Sequence, residues 1–258
     1  MSKIVEEINH KIQNKTGGCA DIIRRRFHFK ETFVSVTAEK RHMELAARTI
    51  ASAREDVEAY AADRPRFRAS LEPLPIDMGA PPVVRRMAAA AALAGVGPMA
   101  AVAGAIAQEV VEALAAAGAR HVVVDNGGDL VLAIDRPVTV GIFTGPAAIR
   151  DMALRFEPRP GIFSVCTSSG TAGHSLSFGC ADAATVIAEN GSLADAMATA
   201  LGNRVKEASE QAISSAIRDS LLDGIEGLLV IAGGRMGIGG TLPPLVRAPH
   251  DARLVNKE

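Results

Sequence analysis

His121-Val122-Val123-Val124-Asp125-Asn126-Gly127-Gly128-Asp129-Leu130-Val131-Leu132-Ala133-Ile134 sets two apolar runs on either side of Asn-Gly-Gly. β-Branched side chains favour the extended chain, and Asn-Gly supplies the backbone that a tight reversal needs. His121 to Val124 therefore reads as a buried strand, Asn126 to Gly128 as a turn and Leu130 to Ile134 as the returning strand. Two strands joined so tightly run antiparallel.

Upstream of this hairpin the apolar spacing is helical. Met43 to Ala62, Val83 to Ala94 and Met99 to Ala117 read as helices, the last ending at Gly118 as a C-cap. Pro65 stops the first, and residues 65–82, with five of the 13 prolines, read as an extended connector. Gly95-Val96-Gly97-Pro98 breaks the second from the third. Arg26 to Lys40 alternates as two short strands or a hairpin, and residues 1–20 read as a loosely docked arm. Downstream, strands are expected at Val138 to Phe143, Phe163 to Thr167, His174 to Phe178, Ala183 to Ala188, Leu228 to Ala232 and near Leu245. A long helix is expected at Ser192 to Arg218. The order lacks strict βαβ alternation. The expected class is α+β, with helices packed on a mostly antiparallel sheet, over residues 1–258 as a single domain.

Composition narrows the function. Lys plus Arg number 28 and Asp plus Glu 29, for a net charge of -1. That balance gives no electrostatic case for nucleic acid or an anionic membrane as partner. Arg24-Arg25-Arg26 and Arg85-Arg86 read as solvated surface arginines. The three cysteines, Cys19, Cys166 and Cys180, are widely spaced without a CxxC pair, which fits reduced thiols in a cytoplasmic protein. The N-terminal MSKIVEEINHKIQNK is too polar for a secretory signal. Met87 to Ala107 is uncharged and long enough to cross a bilayer. Its Ala and Gly content and its central Gly97-Pro98 argue for a core segment instead.

Four motifs carry chemistry, each beside a plainer reading. Gly97 to Ala107 is a helix start nearly without side chains, suited to close approach by an anion or by a neighbouring sheet. Asp125-Asn126-Gly127-Gly128-Asp129 is a hairpin turn whose carboxylates can also cradle a ribose or a base. Cys166-Thr167-Ser168-Ser169-Gly170-Thr171-Ala172-Gly173-His174-Ser175 gathers hydroxyls, glycines and a histidine. Such a loop can hold phosphates, with His174 as acid or base, or His174 can be structural. Cys166 or Ser169 with His174 would be a nucleophile–base pair, but no GxSxG elbow is present. Asp195 and Thr199, four apart in Ser192-Leu193-Ala194-Asp195-Ala196-Met197-Ala198-Thr199, share one helix face and can hold magnesium. Ser192-x-x-Asp195 also reads as a capping box, and on spacing alone the cap is favoured.

In this order the motifs resemble the ApbE superfamily of FAD:protein FMN transferases, and more closely a less characterised ApbE-related branch of unknown function. The resemblance covers about Val83 to Arg204 and the closing strands. Asn126-Gly127-Gly128-Asp129 is similar to the family's N-x-G-G-D turn, and Ala194 to Ala200 to its A-D-A-x-x-T-A magnesium helix. His174-Ser175-Leu176-Ser177-Phe178-Gly179 keeps the histidine of H-I-I-D-P-x-T-G but not the aspartate or proline. Ala103 to Glu109 keeps Ile-Ala from D-x-G-G-I-A-K-G and replaces the aspartate, lysine and second glycine.

The resemblance implies FAD and Mg2+ as cofactors. It implies Asn126, Gly127, Gly128, Asp129, Thr167, Ser168 and Ser169 around the dinucleotide, and His174 as the catalytic residue. Asp195, Thr199 and the Ala105 carbonyl would be the metal ligands. The implied function is transfer or cleavage at the FAD pyrophosphate, with a protein as acceptor. The alternative is a flavin- or nucleotide-binding protein that keeps the fold without the chemistry.

Overall fold

The computed structural model describes residues 10–11, 21–30, 32–144, 149, 151–170 and 178–248. In chain order the elements begin with β1 (His10–Lys11), β2 (Ile22–Phe29), β3 (Thr32–Glu39), α1 (Met43–Ala62), α2 (Pro65–Ala69) and α3 (Pro82–Ala94). Then come α4 (Val102–Ala116), β4 (Val122–Asn126), β5 (Asp129–Ile134), β6 (Val138–Ile142), β7 (Met152–Phe156), β8 (Arg159–Ser168) and β9 (Ala183–Ala188). The last of the described elements are α5 (Gly191–Arg204), α6 (Glu210–Arg218), β10 (Ile225–Ala232), β11 (Arg235–Gly240) and β12 (Leu245–Arg247). Strands β1-β2-β3-β4-β5-β8-β9-β10-β11 form a nine-stranded sheet, and β12-β7-β6 a smaller one. Every neighbouring pair is antiparallel. The fold is α+β, as the patterning implies.

Strand alternation sends successive side chains to opposite faces of the large sheet. Val34, Val36, Val122 and Val124 pack with Ile50, Val110, Val111 and Leu114 of α1 and α4. On the same face, Cys166, Ala184, Val186, Leu228 and Val230 meet α3, α5 and α6. On the other face, Leu132, Phe163, Val165, Ile187, Leu229 and Ile231 meet the small sheet through Val140, Ile142, Leu154 and Phe156. The molecule is a helix layer, a large sheet and a small sheet.

Several expectations shift in detail. Residues 65–82 are not wholly extended, because Pro65 fits the first turn of α2 and Phe67 packs edge-on against Tyr60. Ser192 to Arg218 is two helices rather than one. The Val205 carbonyl accepts from the Cys180 N–H at 2.8 Å, and the Ser209 hydroxyl caps α6 by accepting from Ala212 at 3.1 Å. β7 and β11 carry no strong periodic signal. Of residues 1–20, His10 and Lys11 pair with β2, and the rest lie outside the described residues, as does most of the strand expected at His174 to Phe178.

The uncharged stretch Met87 to Ala107 is split by Gly95, which ends α3 at φ 73°. The helical run Pro98–Ala116 is 19 residues long and apolar enough, by length and composition, to cross a membrane, and half of it is buried inside the protein. Gly97 lies directly on the connector: a Cβ there would sit 1.8 Å from the Ser70 carbonyl oxygen. Gly97→Ala is therefore expected to destabilise the protein by about 1–3 kcal/mol, the usual cost of overpacking. Chemical denaturation measures it, and an unchanged midpoint would show that the connector yields freely.

Candidate functional site

Helices α4 and α5 meet almost backbone to backbone. A Cβ on Gly104 would lie 2.1 Å from the Gly191 carbonyl oxygen and 2.8 Å from Asp195 Cβ. Only glycine allows this approach. It brings the Asp195 carboxylate onto the first turn of α4, where Oδ2 accepts the Gly104 N–H at 2.8 Å and the Ala103 N–H also bonds to it. Free N–H groups and the helix dipole favour an anion there.

The capping box expected at Ser192 and Asp195 does not form. Helix α5 starts one residue earlier, at Gly191, and Asn190 is its cap, accepting the Leu193 N–H at 3.0 Å. Asp195 caps the neighbouring helix, not its own. Thr199, one turn further along α5, is half-buried on the same side. Ala105 is fully buried in α4, beyond the two residues whose N–H groups meet Asp195.

The hairpin delivers the second carboxylate. Gly127 and Gly128 take φ of 71° and 104°, so a two-residue turn pairs Asn126 with Asp129. Asn126 is buried and its Nδ2 donates to the Ala103 carbonyl at 3.1 Å, tying the turn to the start of α4. Asp129 pairs across the sheet with Cys166, so both side chains face the helices. Asp125 points to the other face, where it accepts the Gly128 N–H at 3.1 Å and lies 3.6 Å from Arg24. Of the two carboxylates flanking the glycines, Asp129 reaches the site and Asp125 braces the turn.

Burial dominates the electrostatics. It pushes the Asp195 carboxyl up to about 7, against the pull of the Gly104 and Ala103 N–H groups. Burial also pushes Asp129 well up, aided by the charge of Asp195, while the Cys166 thiol and the Thr167 N–H oppose the rise. The Cys166 thiol has one proton and two acceptors in reach, the Asp129 carboxylate and the Gly191 carbonyl at 3.8 Å. Burial and both aspartates push that thiol up, the reverse of what a nucleophilic cysteine needs.

The Ser/Gly loop contributes unequally. Ser168 faces the helices, its Oγ 3.7 Å from where a Cβ on Gly202 would stand. The Thr167 hydroxyl does not join it. As the next residue along the strand it points to the opposite face, 2.9 Å from the Thr185 hydroxyl. Its contribution to the site is its backbone N–H. Ser169 is half-buried just past β8, and Gly170 N–H bonds to the Ala181 carbonyl at 2.9 Å. His174 lies outside the described residues.

One participant escaped the sequence reading. Gln108 is buried in α4; its Oε1 accepts the Gly191 N–H at 2.8 Å and its Nε2 donates to Glu112 at 2.8 Å. It stands where the resemblance places a lysine. The available signal was a polar residue, four after Gly104, directly after the apolar run Pro98 to Ala107.

Asp129 and Asp195 offer hard oxygen donors, with the Thr199 hydroxyl one turn away. The charges acting on Asp129 are those of Asp195 and Asp125, not of a Lys or Arg. A cation would relieve that repulsion, so the donor set fits magnesium, which binds few protein oxygens and completes its shell with water and phosphate. Among the described residues no group of three or more His, Cys, Asp or Glu is arranged to hold a metal ion.

This architecture is that of the flavin-transferase fold. The flavin transferase ApbE from Vibrio cholerae superposes with a TM-score of 0.57 at 12% identity, over 87% of this chain and 98% of that one. The flavinyl transferase ApbE of Pseudomonas stutzeri superposes at 0.55 and 16% identity, over 85% and 94%. The chain belongs to the family described as AbpE bacteria, whose model matches residues 18–223. It is 45% identical over 232 residues to a UPF0280 protein of Methanocella arvoryzae, covering 90% of this chain and 94% of the relative. A UPF0280 protein of Methanosphaerula palustris is 46% identical over 236 residues, covering 91% and 98%. The chain is thus an ApbE-related branch member.

The raised carboxyls set a pH dependence. Folded Asp195 keeps its proton to about pH 7, whereas an unfolded aspartate loses it near pH 4. Between those values the folded state binds more protons, so stability is full at acid pH and falls as pH rises toward 7. Asp129 acts in the same direction. Thermal unfolding in EDTA from pH 5 to 8 should show a falling midpoint in the wild type and a flatter curve in Asp195→Asn. Equal slopes would contradict the burial of this charge.

Proposed function

We propose that this site binds the pyrophosphate of FAD, or a closely similar dinucleotide, with magnesium, and that the protein transfers or cleaves at that pyrophosphate. The observation that carries the reading is the pair of enclosed carboxylates, Asp129 and Asp195, brought together against the N-terminus of α4, with no Lys or Arg among the described residues acting on either. The flavin-transferase fold supports the choice of ligand.

In this reading Asp195 and Thr199 hold the cation from one face of α5, and Asp129 faces it from the sheet. The carbonyl of Ala105 would be a third ligand, as the resemblance implies. Bound magnesium would neutralise charge on the pyrophosphate and leaving group. Asn126 fixes the turn against α4, Gly127 and Gly128 allow close approach of a ligand, Ser168 and Ser169 donate to it, and the Thr167 N–H holds the Asp129 carboxylate in place. His174 would move the proton at the acceptor, a protein hydroxyl or water. The whole chain would act as one domain in the cytoplasm, without nucleic acid or membrane as partner.

A second reading, a flavin- or nucleotide-binding protein without transfer chemistry, draws on Gln108. The position of the expected lysine is neutral, and its amide is spent on Gly191 and Glu112.

FAD incubated with the protein and Mg2+, followed by chromatography for AMP, separates the two. AMP release supports transfer or cleavage; Mg2+-dependent FAD affinity without AMP supports binding alone; neither outcome rejects both. Asp195→Asn keeps an oxygen for the Gly104 N–H, so the protein should fold. It is expected to lose the Mg2+-dependent part of FAD affinity, by about tenfold or more, as expected for loss of one carboxylate ligand.

A further inference from the structure

The stripe of α5 that carries Asp195 continues beyond the carboxylates. Asp195, Thr199 and Gly202 follow one another at helical spacing, with Asn203 beside them. Asp195 is buried, Thr199 and Asn203 are half-buried, and the stripe opens toward Phe178, which is 55% exposed. The side of α5 that begins at the carboxylate pair therefore ends at an exposed aromatic ring.

That ring is anchored. The Phe178 N–H donates to Asn203 Oδ1 at 2.8 Å, and its carbonyl accepts from Lys206 Nζ at 3.1 Å. The next residue, Gly179, lies so close to α5 that a Cβ would sit 1.9 Å from the Gly202 carbonyl oxygen. The backbone under Phe178 is thus fixed to the helix that bears Asp195 and Thr199, while its side chain projects into solvent. Aromatic residues make up only 3% of the chain. Among the described residues, the other exposed phenylalanine, Phe143 at 40%, follows β6 in the small sheet, on the far side of the large one.

Resting on the reading of the site as a dinucleotide pyrophosphate site, we propose that Phe178 is the platform on which one flat heteroaromatic ring of the dinucleotide stacks. Such a ring has an apolar face that water solvates poorly, and an aromatic side chain covers it without demanding a hydrogen-bond pattern. Lys206 adds positive charge beside the platform, suited to a ligand whose other end is anionic. The carboxylates and their cation take the phosphates, and Phe178 gives the site its preference for a dinucleotide over free pyrophosphate.

The test compares wild type, Phe178→Ala and Phe178→Trp. Phe178 is exposed, so both variants should fold, and circular dichroism checks it. Phe178→Ala is expected to weaken FAD binding by about tenfold, the scale of one stacked ring, and to leave Mg2+-dependent binding of inorganic pyrophosphate unchanged. The chain has no tryptophan, so Phe178→Trp places a single indole at the platform. Its fluorescence should be quenched on FAD addition, with affinity retained. FMN and AMP titrations of Phe178→Ala identify the stacked ring, since only the mononucleotide carrying it loses affinity. Wild-type affinity for FAD in Phe178→Ala, or no quenching in Phe178→Trp, overturns the platform alone. Failure of wild type to bind both FAD and Mg2+-pyrophosphate overturns the site reading, and the platform with it.

Discussion

The close approach of α4 and α5 at Gly104 and Gly191 is the constraint on which the site depends. No side chain separates the two backbones there. That absence lets a short side chain, Asp195, span from one helix to the first turn of the other. A methyl group at Gly104 would push α5 away, and the 2.8 Å bond to its N–H would be lost before any ligand arrived. Gln108 secures the same crossing from the other side through the Gly191 N–H. It is held in turn by Glu112, which takes a bidentate pair of bonds from Arg86 of α3, each 2.7 Å. Three helices are thereby fixed around one carboxylate.

Position then decides partners. Asp125 and Asp129 lie four residues apart around one turn and burial pushes both carboxyls up, yet their neighbours differ because Asp125 sits on the face opposite Asp129. Asp125 finds Arg24 and a backbone N–H. Asp129 finds Asp195, a second anion, inside the protein. Two enclosed carboxylates cannot both remain ionised without a counter-charge. The pair must keep a proton or take up a cation. The same burial of charge that weakens the protein toward neutral pH is what a divalent cation would offset.

Where the sequence carried strong local signals, it was readable. The helix Met43–Ala62 and the strand Ala183–Ala188 fall where periodicity puts them, and the Asn-Gly-Gly turn forms because glycine alone accepts its positive φ. Strand β11 was hidden by composition. Gly237 and Gly239 look like a loop, yet they are glycine because Ile213 and Ile217 of α6 press on that face, each within 2.3 Å of where a Cβ would stand. The same blindness touched the site. Spacing placed Asp195 and Thr199 on one helix face, but the partner of Asp195 is 91 residues away. A local cap and a tertiary cap look alike until the helices are docked. The opposed directions of Thr167 and Ser168 followed from strand alternation, once β8 was known to reach Ser168.

The departures of this chain from the ApbE pattern are consistent with one another. A lysine at position 108 would bring a positive charge beside Gly191 and leave its N–H without an acceptor. Glutamine accepts that N–H and donates to Glu112 at once, which a lysine cannot do because it has no acceptor. The substitution thus exchanges a charge for a rigid helix crossing. With that positive charge gone, nothing on α4 offsets Asp129 and Asp195 except the N–H groups of its first turn. Those groups are partial charges, too weak to keep Asp195 at an ordinary carboxyl range. A site arranged in this way balances its charge by keeping a proton, and under the proposed reading a bound cation would take that proton's place.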